Sequence, residues 1–123
     1  ITPYAFGFAR PIELVAKDME VYVALLMKWQ PVQNLVSRET FPELWTRHIA
    51  DSLQALRLLR PHDCRFLDLG SGGGFPALPM AIARKGDPGA SFVLVEANRR
   101  KVSFLRTVSR DLGLPVEVVE GRI

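Results

Sequence analysis

The chain has 123 residues, 48% of them hydrophobic, which predicts a globular protein of one domain at most rather than a disordered chain. Its formal net charge of +3 permits a polyanionic partner without requiring one. The single cysteine, Cys64, excludes an internal disulfide and a cysteine metal cluster, and no apolar run approaches the ~20 residues that cross a bilayer. Because the start has no signal-peptide pattern, we expect a cytoplasmic protein.

Two helices are predicted in the first part of the chain. Apolar residues recur at spacings of four and three between Pro11 and Trp29, which is typical of one face of an amphipathic helix. After a polar connector, a second helix is predicted from Thr40, where a capping-box spacing begins, to about Leu59. We interpret residues 1–62 as an N-terminal helical cap.

Strands and helices alternate in the rest of the chain. The runs "RFLDLG" and "SFVLVEAN" predict buried strands, and "PVEVVEGRI" predicts a third strand. The helices between them end near Arg84 and Gly113. This order predicts an α/β fold with a parallel sheet, right-handed crossovers and helices on both faces. We assign residues 63–123 to the first half of such a domain. Because the chain begins at Ile1 and stops after the third strand, we expect it to be a truncated part of a longer protein.

A glycine-rich turn follows the first predicted strand. Gly70, Gly72 and Gly74 fit G-x-G-x-G, and a turn without side chains lets a ligand lie against the main chain beside the free N–H groups of a helix. The dinucleotide fingerprint needs glycine at position 75, where Phe75 would fill the space of a pyrophosphate. Pro76 is predicted as the first residue of the next helix, where its missing N–H breaks no hydrogen bond. Pro79 is then the fourth.

Two acidic residues are placed beside this turn. Glu96 ends the second predicted strand, where a carboxylate accepts hydrogen bonds from the ribose hydroxyls of a nucleoside cofactor. The alternative is that Glu96 caps the following helix. Asp68, two residues before Gly70, is a second acid next to the predicted pocket. Together these features favour a nucleoside-cofactor site.

The run "FLDLGSGGGFPALPMAIA" resembles motif I of the class I S-adenosylmethionine (AdoMet)-dependent methyltransferases, which have a Rossmann-like fold. With "NLVS", "WTRHIADSL" and "RRKVSFL", the chain resembles the bacterial small-subunit ribosomal RNA methyltransferase G (GidB) family from about Val21 to Ile123. The resemblance implies methylation of N7 of a guanine in 16S rRNA, with the rRNA or the small ribosomal subunit as partner. It implies neither a metal nor a membrane.

The resemblance also implies roles for single residues. Gly70 and Phe75 would touch AdoMet, and Ile123 would flank its adenine. Glu96 stands where the family usually has aspartate. Because guanine N7 already carries an in-plane lone pair, we assign no catalytic base.

Two further groups of residues are left with alternatives. From sequence alone, we interpret Arg47 and Asp51 as a solvated ion pair beside His48. The place of these three residues in the family motif implies instead that they wall the methyl-transfer pocket. Asn34 is a further candidate for that wall. The second group lies on one face of the helix after Glu96 and is either an ordinary solvated face or an RNA-contacting surface: Arg99, Arg106 and Arg110.

Two other functions are compatible with parts of the pattern. One is a fragment of a nicotinamide-dinucleotide-binding oxidoreductase, against which Phe75 argues. The other is a non-catalytic module that binds a nucleotide or RNA.

Overall fold

The computed structural model describes residues 8–30, 48–58, 65–70 and 72–122. Within these ranges the chain forms four α-helices and three β-strands, and a 3₁₀ turn, Ala55–Leu58, extends the second helix. In chain order the elements are α1 Ile12–Trp29, α2 Ala50–Gln54, β1 Arg65–Leu69, α3 Ala77–Arg84, β2 Ser91–Glu96, α4 Arg99–Leu112 and β3 Val116–Glu120. The alternation predicted from the sequence is confirmed.

Helix α1 follows Pro11, as its apolar spacing predicts, and packs against α3 and α4. Its buried side chains belong to the same hydrophobic core as those of the sheet and include Met19, Tyr22 and Leu26. Near its end, the Trp29 ring meets the ring of Phe104 on α4 edge-on, at 5.6 Å between centroids. The helices predicted to form a cap thus share one core with the sheet, and the boundary between residues 62 and 63 stays a prediction.

The predicted second helix is described only from residue 48 onward. A π-type turn at His48 and Ile49 leads into α2, and the predicted capping box lies outside the described residues. Ile49 and Leu53 are fully buried. The apolar side of this segment therefore faces the core, as predicted.

The three strands form a parallel sheet in the order β1-β2-β3. Successive side chains of a strand face opposite sides of a sheet. On one side, Phe92 and Leu94 of β2 and Val118 of β3 are buried in the common core. Helices α3 and α4 contact the described strands, and their buried side chains belong to the core on this side.

The opposite side of the sheet is exposed in the part of the chain that the structure describes. Leu67 is 61% exposed, Leu69 49% and Val119 37%, and we call these three residues the open sheet face. The prediction that the first strand is buried is therefore wrong for β1. That strand has a described neighbour on one side only, and it turns Phe66 and Asp68 toward the core side. A helix layer on the open sheet face stays a prediction.

Helix α3 begins one residue later than its prolines predict. Pro76 is the N-cap, and Pro79 is the third helical residue rather than the fourth. The physical reason for tolerating both is unchanged, since the first N–H groups of a helix have no partner within it. Helix α4 ends at Gly113, as predicted, with φ 62° in the left-handed region.

No helix in the described ranges has both the length and the apolar character needed to span a membrane. Among the same residues, no three or more His, Cys, Asp or Glu side chains are grouped so that they could hold a metal ion.

We expect the 123-residue polypeptide to self-associate, because exposed apolar side chains beside an open strand edge favour association. Leu67→Glu should lower the average mass in sedimentation velocity at equal protein concentration. Met27→Glu is the matched control, since Met27 is 58% exposed but lies on α1. A monodisperse monomer of the unsubstituted chain, or an equal response of the two variants, would contradict this expectation.

Candidate functional site

The glycine turn, residues 70–75, joins β1 to α3 at the carboxyl end of the sheet. The Gly70 N–H donates to the carbonyl of Val95 at 2.8 Å, which fixes the start of the turn to β2. Gly70 and Gly72 have φ of 75° and 55°, a region that side chains rarely adopt. A Cβ built on either would meet nothing within 4 Å. Glycine is therefore favoured at both positions by the positive φ. Because glycine has no side chain, the main chain there faces open space.

Gly74 is required for a different reason. Its φ is 95°, and an added Cβ would lie 2.7 Å from Cγ of Leu78 and nearer still to Cδ1. Because Leu78 is fully buried, a side chain at position 74 would displace part of the core. The predicted contact of Gly74 with a cofactor stays a prediction.

Glu96 lies at the end of β2 and is only 9% exposed. Its Oε1 accepts a hydrogen bond from the Gly72 N–H at 2.8 Å, and its Oε2 accepts one from the Asn98 N–H at 2.8 Å. The carboxylate therefore joins the glycine turn to the start of α4. An ionised carboxylate has about four acceptor positions, so these two bonds leave room for further donors such as hydroxyl groups.

The N-cap of α4 is Asn98. Its side-chain oxygen accepts from the N–H groups of Arg100 and Lys101 at 3.0 and 3.1 Å. The alternative that Glu96 caps the helix is therefore wrong, since Glu96 binds the N–H of Asn98, before the first helical residue.

Opposing influences set the charge state of Glu96. Burial raises its pKa, but hydrogen bonds from the N–H groups of Asn98 and Gly72, and the charge of Lys101, favour the carboxylate. The net result is a pKa below the usual value. Glu96 is therefore ionised at neutral pH and acts as an acceptor.

Two clefts adjoin the glycine turn, one at each end. The Glu96 cleft has a volume of about 310 Å³ and is lined by Gly70, Val95, Glu96, Ala97, Gly121 and Arg122. The His48 cleft has a volume of about 410 Å³ and is lined by His48, Asp51, Ser52, Ala55, Phe75 and Pro76. An acidic, hydrogen-bonding cleft thus lies at the Gly70 end of the turn, and a cleft with two rings lies at its Phe75 end.

Phe75 lies in the middle of a row of three rings. Its centroid is 5.0 Å from that of His48 and 5.6 Å from that of Tyr22. The Ser52 hydroxyl donates to the His48 carbonyl at 2.6 Å, which holds this turn of the helix together. The structure therefore places His48, Asp51 and Phe75 together in one cleft.

Tyr22 contacts the glycine turn from α1, a contact that sequence reasoning missed. Its hydroxyl donates to the carbonyl of Gly73 at 2.6 Å, and the side chain is fully buried. Burial raises the pKa of Tyr22 well above its usual value, so the hydroxyl keeps its proton. The apolar spacing assigns this position only to the core. The one available signal is that a buried tyrosine, unlike phenylalanine, needs a partner for its hydroxyl.

Four other predicted site residues remain, of which the structure describes only Asp68. Asp68 lies on β1 level with Leu94 of β2 and lines neither cleft. The remaining three lie outside the described residues: Asn34, Arg47 and Ile123.

The three predicted RNA-contacting arginines are exposed along one side of α4. Arg106 donates from Nη2 to the carbonyl of Val118 at 3.1 Å, which attaches α4 to β3. Arg99 lies 3.6 Å from Glu120, and its side chain is 85% exposed. The side chain of Arg110 is 77% exposed and lies 3.3 Å from the carboxylate of Asp111, the next residue of the helix. Arg99 and Arg110 present charge to solvent, whereas Arg106 also has a structural contact.

Comparison with known proteins gives a consistent result. The profile of the GidB family, rRNA small subunit methyltransferase G, matches residues 15–123. The ribosomal RNA small subunit methyltransferase G of Methylorubrum extorquens is 49% identical over 108 residues, which are 88% of this chain and 51% of that protein. The protein of the same name from Rhodopseudomonas palustris is 50% identical over 101 residues, or 82% of this chain and 44% of the relative. This chain thus spans about half the length of the curated relatives that it matches.

Replacing Glu96 should make stability less sensitive to acid. The pKa of Glu96 is lowered in the fold, so its ionised form stabilises the fold above the ordinary value of 4.5, and this contribution is lost as the pH falls through the lower folded-state value. In thermal unfolding between about pH 3 and 6, we expect Glu96→Gln to lose less Tm toward acid than the unsubstituted chain. Glu117→Gln, at an exposed position on β3, is the control. Equal pH dependence of all three proteins would show that Glu96 is not held as a carboxylate by its contacts.

Proposed function

Because the chain belongs to the rRNA small subunit methyltransferase G (GidB) family, we propose that it takes part in the AdoMet-dependent methylation of guanine N7 in 16S rRNA, in the cytoplasm. The observation that carries the proposal is the 2.8 Å hydrogen bond from Gly72 to Glu96. This bond joins a carboxylate at the end of β2 to the open glycine turn at the end of β1, the neighbouring parallel strand. A nucleoside-binding site requires this arrangement.

The residues of the site fit AdoMet. The main chain at Gly70 and Gly72 faces open space that any side chain would partly fill. Glu96 would accept hydrogen bonds from the ribose hydroxyls with the acceptor positions that its two backbone bonds leave. AdoMet, when bound, supplies a methyl group made electrophilic by a positively charged sulfur. The chain then has to bind the cofactor and hold the acceptor in line with it.

We propose that the guanine enters the His48 cleft. Phe75 and His48 offer ring faces on which a base can stack, and Asp51 offers an exposed carboxylate to the donors of the guanine edge. Asn34 and Arg47 complete the proposed wall. Guanine N7 has its lone pair available, so these residues have to orient the base, and none needs to remove a proton.

The two other functions are less well supported. A nicotinamide-dinucleotide-binding oxidoreductase needs a glycine where Phe75 stands, and the family match argues against it. The family match also favours methyl transfer over a non-catalytic module that binds a nucleotide or RNA.

The outer side of α4 is the proposed contact with rRNA phosphates. Residues 99–112 carry five cationic side chains and one acidic one, so α4 has a larger positive charge than the whole chain with its +3. Beside it, a groove of about 520 Å³ between α1 and α4 is lined by Leu25, Lys28, Trp29, Thr107, Arg110 and Asp111. A polyanion is the partner whose charge complements this side.

The cofactor proposal predicts that Gly72→Ala weakens AdoMet binding by more than about tenfold, since the new methyl group would lie where the main chain meets the cofactor. Gly113→Ala is a matched control. Gly113 has φ 62° against 55° for Gly72, so both variants bear a similar left-handed strain of roughly 1–2 kcal/mol. Isothermal titration with AdoMet and with NADH measures the difference. Equal losses in both variants, or binding of NADH in place of AdoMet, would overturn the proposed function.

The rRNA contact predicts that Arg99→Gln and Arg110→Gln each weaken binding to a 16S rRNA fragment and lower the salt dependence by about one phosphate contact. Arg106→Gln should in addition lower Tm, because it loses the hydrogen bond to Val118. Lys17→Gln on the exposed side of α1 removes the same charge elsewhere and serves as control. If Lys17→Gln has the same effect on the salt slope, the attraction is not located on α4.

A further inference from the structure

A buried hydrogen bond joins helix α1 to the glycine turn. Tyr22 donates to the carbonyl of Gly73 at 2.6 Å across 51 positions of sequence. Tyr22 is fully buried and Gly73 is buried as well, so water does not replace the bond when it is lost. The position of the turn therefore depends on a residue far away in the chain.

The ring of Tyr22 has little freedom to point its hydroxyl elsewhere. It packs against Phe75 at 5.6 Å and against Phe104 of α4 at 6.4 Å between centroids. Since Phe104 is fully buried, the ring is fixed from the core side, and the hydroxyl is directed at Gly73. Burial keeps that hydroxyl protonated by raising its pKa, so it stays a donor.

Three successive glycines are each bound by a different part of the fold. The Gly72 N–H donates to Glu96, the Gly73 carbonyl accepts from Tyr22, and the Gly74 carbonyl accepts from the Leu78 N–H at 2.6 Å. Glycine has more backbone freedom to lose than any other residue, and it has no side chain with which to pack. Main-chain hydrogen bonds therefore have to supply the order of this turn.

We propose that Tyr22 is a positioning residue for the cofactor: its hydrogen bond to Gly73 holds the glycine turn in the conformation whose open side binds AdoMet. The inference rests on the proposed function. Without this bond the turn populates more conformations, and the cofactor has to select the competent one at a cost in affinity.

The test compares Tyr22→Phe with Ser109→Ala. Tyr22→Phe keeps the ring and removes the donor. Ser109 is also buried and donates to the carbonyl of Leu105 at 2.7 Å, but within α4 and away from the turn. Each variant loses one buried hydroxyl–carbonyl bond, so Ser109→Ala controls for the loss of such a bond away from the turn. We expect the exchange of the Gly72 amide and the Kd for AdoMet each to rise about fivefold in Tyr22→Phe only.

Unchanged AdoMet affinity in Tyr22→Phe, or the same rise in Ser109→Ala, overturns the inference while leaving the proposed function intact. If the unsubstituted chain binds no AdoMet, the proposed function fails, and amide exchange alone decides whether Tyr22 holds the turn. Faster exchange confined to the turn then supports that part of the inference, and unchanged exchange overturns it.

Discussion

The Glu96 carboxylate is the contact on which the site depends. It is buried, ionised and bonded at 2.8 Å to two main-chain N–H groups that belong to different connections of the sheet. A buried charge is costly unless it is paired or fully hydrogen-bonded, so this group constrains whatever surrounds it. If the glycine turn and the start of α4 moved apart, the buried carboxylate would lose one of these hydrogen bonds, at a cost in free energy. The same charge that orders the turn is also the feature best suited to receive the hydroxyls of a nucleoside.

Much of the fold could be predicted from the sequence because its signals are local. Apolar spacing places α1, Gly113 ends α4, and Glu96 ends β2, as the structure confirms. The exposure of β1 could not be predicted, since "RFLDL" has the same apolar character whether or not another layer covers it. Whether a strand is buried depends on the elements that pack against it, which the strand's own sequence does not show.

The site could be predicted only in part for the same reason. The glycine spacing and the acid at position 96 indicate a nucleoside pocket, and the structure links them with one hydrogen bond. Sequence patterns did not distinguish Gly74, which makes room for Leu78, from Gly70 and Gly72, whose missing side chains face open space. Nor did they connect Tyr22 with Gly73, because a helix face shows which residues are buried and not what they bind.

The edge contact of Trp29 with Phe104 has a spectroscopic consequence. The chain contains two tryptophans, and Trp29 is on the helix that supports the glycine turn, packed against the helix that begins beside Glu96. Indole emission shifts to longer wavelength when the ring gains contact with water. Once Trp45 is replaced by phenylalanine, the fluorescence of Trp29 becomes an intrinsic optical reporter of whether α1 packs against α4, and no label has to be attached to the chain.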